Sequence, residues 1–147
     1  MTAEQVAATL LAYLRASGAE RASALVDEGT VDVDADGSAA FERHGSPIAE
    51  PVDPGGGEPC ELDVEVRPLP PFHVDEGAGE VSAPLGALEH LADGVRALAR
   101  AFGGRSVALV EFPTDDGTPF ALSAREGEGL VVVIGGDSYE MDGAWPV

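Results

Sequence analysis

The stretch Val107–Ile134, VALVEFPTDDGTPFALSAREGEGLVVVI, decides the fold. Val107 to Phe112, Phe120 to Ala124 and Leu130 to Ile134 are short runs rich in β-branched and aromatic residues. Asp115-Asp116-Gly117 and Glu126-Gly127-Glu128-Gly129 between them are turn chemistry. Three strands so closely joined form a meander, which a last short strand from Tyr139 to Met141 closes. Leu130-Val131-Val132-Val133-Ile134 is apolar on both faces, which predicts a place in the middle of the sheet, covered on each side, or at a subunit interface.

Upstream of the meander the period changes from two residues to 3.6. Ser82 is placed to cap and Pro84 to open a helix whose apolar stripe is Leu85, Leu88, Leu91, Val95, Leu98 and Phe102, and Gly103-Gly104 stops it. Its polar face runs from Glu89 and Asp93 to Arg96 and Arg100, acids early and arginines late, as the helix dipole favours. The chain begins the same way. Thr2 stands three residues before Gln5, a capping-box spacing, and Val6, Leu10, Tyr13 and Leu14 recur at helical intervals until Gly18.

After that first helix, Arg21–Val26 reads equally as helix or strand. Thr30–Ala35 alternates cleanly, Val31 and Val33 against Asp32 and Asp34, and Asp36-Gly37 is a strong hairpin signal, with a return strand through Ala39, Phe41 and Arg43. Residues 45–59 hold Pro47, Pro51, Pro54 and Pro59 around Gly55-Gly56-Gly57 without an apolar period, and read as a loop or flexible insertion. Leu62, Val64 and Val66 alternating with Glu61, Asp63 and Glu65 predict a half-buried strand, ended by Pro68, Pro70 and Pro71. A further strand fits Phe72–Val74 or Glu80–Ser82.

The expected architecture is therefore one α+β domain over residues 1–147, with two helices packed on a mainly antiparallel β-sheet in the order helix, strands, helix, strands. The two helix-to-strand joints look alike. Arg15-Ala16-Ser17-Gly18 leading to Ala24-Leu25-Val26 parallels Arg100-Ala101-Phe102-Gly103 leading to Ala108-Leu109-Val110, as an internal duplication would produce and as shared Ala/Gly composition would too.

Charge narrows the function classes. Twenty-seven Asp and Glu face eight Arg and no Lys, a formal charge of −19 on 147 residues, of which residues 1–80 carry 17 acids against 4 arginines. Such a field keeps the chain soluble, repels nucleic-acid phosphate and anionic lipid, and steers a basic partner towards it. Gly55-Gly56-Gly57 is no phosphate cradle, because no Lys or following Ser/Thr accompanies it and Asp53 and Glu58 would repel the ligand. One cysteine, Cys60, forms no internal disulfide. With no basic leader and no apolar run of membrane-spanning length, the expected location is the cytoplasm.

Candidate sites are few. Asp32, Asp34 and Asp36 with Gly37 sixth begin like a calcium loop, but the twelfth position is Arg43, with Glu42 one place early. A hairpin register pairing Val33 with Phe41 would set Asp32 opposite Glu42, two like charges that call for a cation, so Asp32, Asp34, Asp36 and Glu42 form the candidate metal set. Cys60, His73 and Asp75 have the donor types of a transition-metal site without its spacing. Leu130 to Ser138 resembles the strand-end nucleophile block of the GDSL-type esterases. That family's mechanism needs a later acid and histidine, for which nine residues leave no room, so Gly135-Gly136-Asp137 reads as a turn.

Three functional expectations follow. The first is a non-enzymatic protein-binding module of inhibitor, immunity or chaperone kind with a basic partner, using Asp32, Asp34, Glu61, Asp63 and Glu65 on solvent-facing strand positions; the element order also resembles the architecture of secretion chaperones. The second is a calcium- or metal-binding domain. The third is a ligand-binding protein or enzyme with a pocket bounded by residues 45–59, His44 and His73.

Overall fold

The computed structural model describes residues 1–46, 48–75, 77–78, 80–82, 86–103, 106–125, 127 and 129–141. Helix α1 spans Ala3–Ser17 and is followed by strands β1 (Arg21–Val26), β2 (Gly29–Asp34), β3 (Ala39–Arg43) and β4 (Ala49–Pro51). A 3-10 turn at Pro54–Gly56 and a small hairpin, β5 (His73–Asp75) with β6 (Glu80–Ser82), lead to helix α2 (Ala87–Ala101). Strands β7 (Val107–Phe112), β8 (Phe120–Arg125), β9 (Leu130–Ile134) and β10 (Asp137–Met141) complete the order.

Eight strands form one antiparallel sheet in the order β10-β9-β8-β7-β1-β2-β3-β4. The chain thus uses one unit twice: a fifteen-residue helix followed by four strands that step outward from the centre, with β1 and β7 meeting in the middle. Ala24 and Ala108, equivalent in the two similar joints, pair directly across that central seam. Gly18 and Gly103 take left-handed φ values of 78° and 83° just beyond the two helices, where a residue with a Cβ is strained.

Local chemistry explains most boundaries. The Thr2 hydroxyl accepts from the Gln5 amide at 3.1 Å and the Gln5 side chain accepts from the Thr2 amide at 3.5 Å, closing the capping box. Helix α2 starts later than its cap signals predict, at Ala87 after Gly86, and Ser82 ends β6 instead of capping; Pro84 and Leu85 lie outside the described residues. Arg21–Val26 is a strand because its alternate residues Ala22 and Ala24 lie under the helices in the sheet centre. The β2–β3 register differs from the one read from the sequence. Val31 faces Phe41, Asp32 faces Ala40 and Glu42 faces Thr30. The cause is a three-residue loop, Ala35 to Gly37, which the Asp34 amide closes on the Ser38 carbonyl at 2.9 Å with Gly37 at φ 97°, moving every partner by two positions.

The core lies between the helices and one sheet face. Leu10, Tyr13, Leu14, Leu91, Val95 and Leu98 meet Ala22, Val31, Val110, Leu122 and Val132 there. Tyr13 crosses from α1 to α2, its hydroxyl donating to the Leu91 carbonyl at 3.4 Å, and burial pushes its phenol pKa up. Phe72 joins Phe112 and Phe120 edge-on, at 6.1 and 5.3 Å between ring centres, which fastens the small hairpin to the main sheet.

Two other expectations are corrected. Residues 60–66 form no strand; their alternation is obeyed in burial alone, with Leu62 and Val66 resting on the core and Glu61, Asp63 and Glu65 exposed. The segment lies along α1, from Cys60, whose amide donates to the Thr9 hydroxyl at 2.9 Å, to Leu69 beside Gly18, so its apolar side chains are received by the helix and not by a ladder. The 45–59 stretch is not featureless either. It holds β4 and the 3-10 turn, and Val52 packs against the core, whereas Ile48 is 70% exposed.

Candidate binding face

Side chains alternate across a strand, so a sheet with helices on one face presents its other row of residues on the opposite face. Among the described residues no helix covers that second face. Its composition follows from register: Asp32 pairs with Ser23, Ser23 with Leu109, Leu109 with Ser123, Ser123 with Val131 and Val131 with Glu140, in one line across six strands. Leu25 beside Val107 and Ala121 beside Val133 extend it to either side. Leu25, Val107, Leu109, Val131 and Val133 are only half-buried, an apolar floor that the protein leaves in contact with water.

Carboxylates edge this floor. Asp32 and Asp34 on β2, Glu42 on β3, Glu111 at the end of β7 and Glu140 on β10 all belong to the same face, against Arg21 and Arg125. Arg21 stands between two acids, opposite Asp34 and Glu111, and its Nε lies 3.0 Å from Asp34 Oδ1. Ser23 donates its hydroxyl to Asp32. Two concavities open here. One of about 440 Å³ is lined by Arg21, Ser23, Asp32, Asp34, Leu109 and Glu111. Another of about 350 Å³ is lined by Glu20, Leu109, Glu111, Pro119, Ala121 and Val133. Leu109 and Glu111 line both, so the two are neighbours over one ridge. An apolar floor with fixed carboxylates attracts a cation and offers it a contact from which water is expelled.

The residues singled out in the sequence are divided by the fold. Asp32, Asp34 and Glu42 share this face, Glu42 opposite Thr30 and not Asp32, but Asp36 sits in the β2–β3 loop, where the Ser38 hydroxyl and then its amide hold its carboxyl below the usual range. Among the described residues no group of three or more His, Cys, Asp and Glu is arranged to hold a metal ion. Glu61, Asp63 and Glu65 are exposed on the segment that covers α1, in the helical layer, and so do not join Asp32 and Asp34. Cys60 rests against α1 at Thr9, while His73 on β5 contacts Asp115 through Nδ1 at 2.9 Å. Neither His44, His73 nor the described residues of 45–59 line the two concavities, nor a third of about 360 Å³ lined by Val6, Val26, Phe41, Phe102, Asp27 and Glu28. Asp137 and Ser138 stand on the edge strand β10, after the Gly135-Gly136 turn.

Sequence reading missed Leu109, Glu111, Val131 and Val133. Their signal was present in the double-sided apolar character of Leu130–Ile134, whose strand lies next to the sheet edge, not in the middle: Leu130, Val132 and Ile134 are buried under the helical layer, and Val131 and Val133 face out. In comparison with known proteins, no family model matches the chain, and neither a curated protein nor a solved structure does.

Proposed function

We propose that the protein is a non-enzymatic binding module for a basic protein partner, and that it engages this partner through the helix-free face of its sheet. One observation carries the reading: five half-buried apolar side chains on β1, β7 and β9 are exposed together on that face and are edged by Asp32, Asp34, Glu42, Glu111 and Glu140. Apolar area left open on a sheet costs solubility and is retained where a partner covers it. The surrounding carboxylates, within a net charge of −19, select for positive charge in that partner. Residues with a role in positioning are Arg21 and Ser23, which orient Asp34 and Asp32.

The test is affinity capture from the native host with the wild-type chain and with a variant carrying Asp32→Asn, Asp34→Asn, Glu42→Gln and Glu111→Gln, each at low and high salt. The expected result is a basic protein held by the wild type and lost from the variant and at high salt. Equal capture by both proteins would remove the face from consideration.

A further inference from the structure

The face also constrains the shape of its occupant. Resting on the protein-binding reading above, we infer that the partner presents a cationic amphipathic helix, which lies on the floor formed by Leu25, Val107, Leu109, Ala121, Val131 and Val133. The backbone groups of these strands are already paired within the ladder. An extended peptide laid on the face would therefore bury N–H and C=O groups without partners, whereas a helix satisfies its own. Adding a strand at the β4 edge is opposed by its length of three residues and by Pro51.

Dimensions agree. At about 4.8 Å between strands, the floor from β1 to β9 spans about 14 Å, and an apolar stripe from i to i+7 of a helix covers about 10 Å. Such a stripe would fit over Leu109 and Val131, with basic residues beyond its two ends reaching Asp32 at one and Glu140 at the other. Within the chain the opposite face of the same sheet is likewise covered by helices, α1 over β1 and β2 and α2 over β7 and β8. Charge argues against a second copy as the occupant. Two such faces would bring Asp32, Asp34, Glu42, Glu111 and Glu140 against their own copies, with Arg21 already paired to Asp34.

The experiment titrates the full chain, followed by amide chemical shifts, with three probes of equal charge: a fourteen-residue Leu/Lys amphipathic helix, the same composition interrupted by two prolines, and an oligolysine. The helical probe is expected to bind at least tenfold more tightly than the proline-interrupted one, with shifts concentrated on β1, β7, β8 and β9. Leu109→Gln with Val131→Gln should weaken it at least tenfold. Ser123→Arg, at a polar position in the centre of the floor, should do the same without removing apolar area from the fold. Equal affinity for the three cationic probes, with shifts on the open face, would overturn the helix inference and leave the broader reading standing, whereas shifts confined to the α1 side would overturn the inference and the choice of face with it. Binding of no cationic probe would overturn both. A dimer in sedimentation that Ser123→Arg dissociates would make the occupant a second copy and overturn the inference as well.

Discussion

At Gly94 an interior helix position is occupied by a poor helix former for a steric reason. A Cβ there would stand 2.8 Å from Cε2 of Tyr13 and 3.0 Å from its hydroxyl oxygen, so glycine lets the two helices close over the ring. Gly94→Ala is expected to destabilise the fold by about 1–3 kcal/mol through overpacking, although alanine gains about 1 kcal/mol in helix propensity. Denaturant unfolding reads the difference, and a stabilised variant would refute the packing account. The acidic residues of the β2–β3 hairpin are likewise engaged individually: Asp34 by Arg21, Asp36 by the Ser38 hydroxyl and amide. Millimolar calcium is therefore expected to leave the melting temperature unchanged; a rise that Asp34→Ala with Asp36→Ala abolishes would place a cation there. At this scale the sequence was readable where one residue decides the outcome, as with Thr2, Gln5 and Gly18. It was unreadable at Gly94, whose reason lies in a tyrosine eighty-one positions away.

Elements were legible where hydrophobic period and turn chemistry agreed, and misread where period alone was available. Leu62, Val64 and Val66 have a strand's alternation, yet a helix surface can receive alternate side chains as readily as a sheet can, so the period predicts burial without predicting a ladder. The consequence for the 52–69 segment is that it is structural. Gly57 brings it so close to α1 that a Cβ would lie 2.6 Å from the Glu4 carbonyl carbon, and its 3-10 turn packs on that helix. Replacing Ile48–Glu58 with a short Gly/Ser link is expected to lower the unfolding midpoint, and Val52→Ala alone to cost about 1 kcal/mol. An unchanged midpoint for both would make the segment an appendage. The β5–β6 hairpin adds a pH dependence. Its hydrogen bond to Asp115, then the Asp115 charge, raises the His73 pKa above the ordinary 6.5. A raised folded value means the pair stabilises the fold below pH 6.5, and that contribution disappears as pH climbs through the raised value. Melting temperatures across that range should show a fall that His73→Gln flattens.

At the largest scale, the repeated helix-plus-four-strand unit produces, among the described residues, a sheet eight strands wide with a single helical layer, and the second face follows from that arithmetic of layers. The similar joints hinted at the repeat, but the pairing of Ala24 with Ala108 is a long-range contact that no local pattern encodes. Nor could composition say that the acids divide between two layers, with Asp32 and Asp34 beside the apolar floor and Glu61, Asp63 and Glu65 over α1. Long-range attraction then applies to the whole chain, and its reach contracts from about 10 Å at 0.1 M salt to about 3 Å at 1 M. Association with a basic partner should slow steeply over that interval while dissociation changes less. Binding through the helix-free face is a matter of place, which site-directed photo-crosslinking in the native host reads residue by residue. A photoreactive residue at Ser123, in the middle of the open face, is expected to trap a basic protein, and one at Asp93, exposed on α2, is expected to trap none. Trapping of the same protein from Asp93 and not from Ser123 would contradict the account.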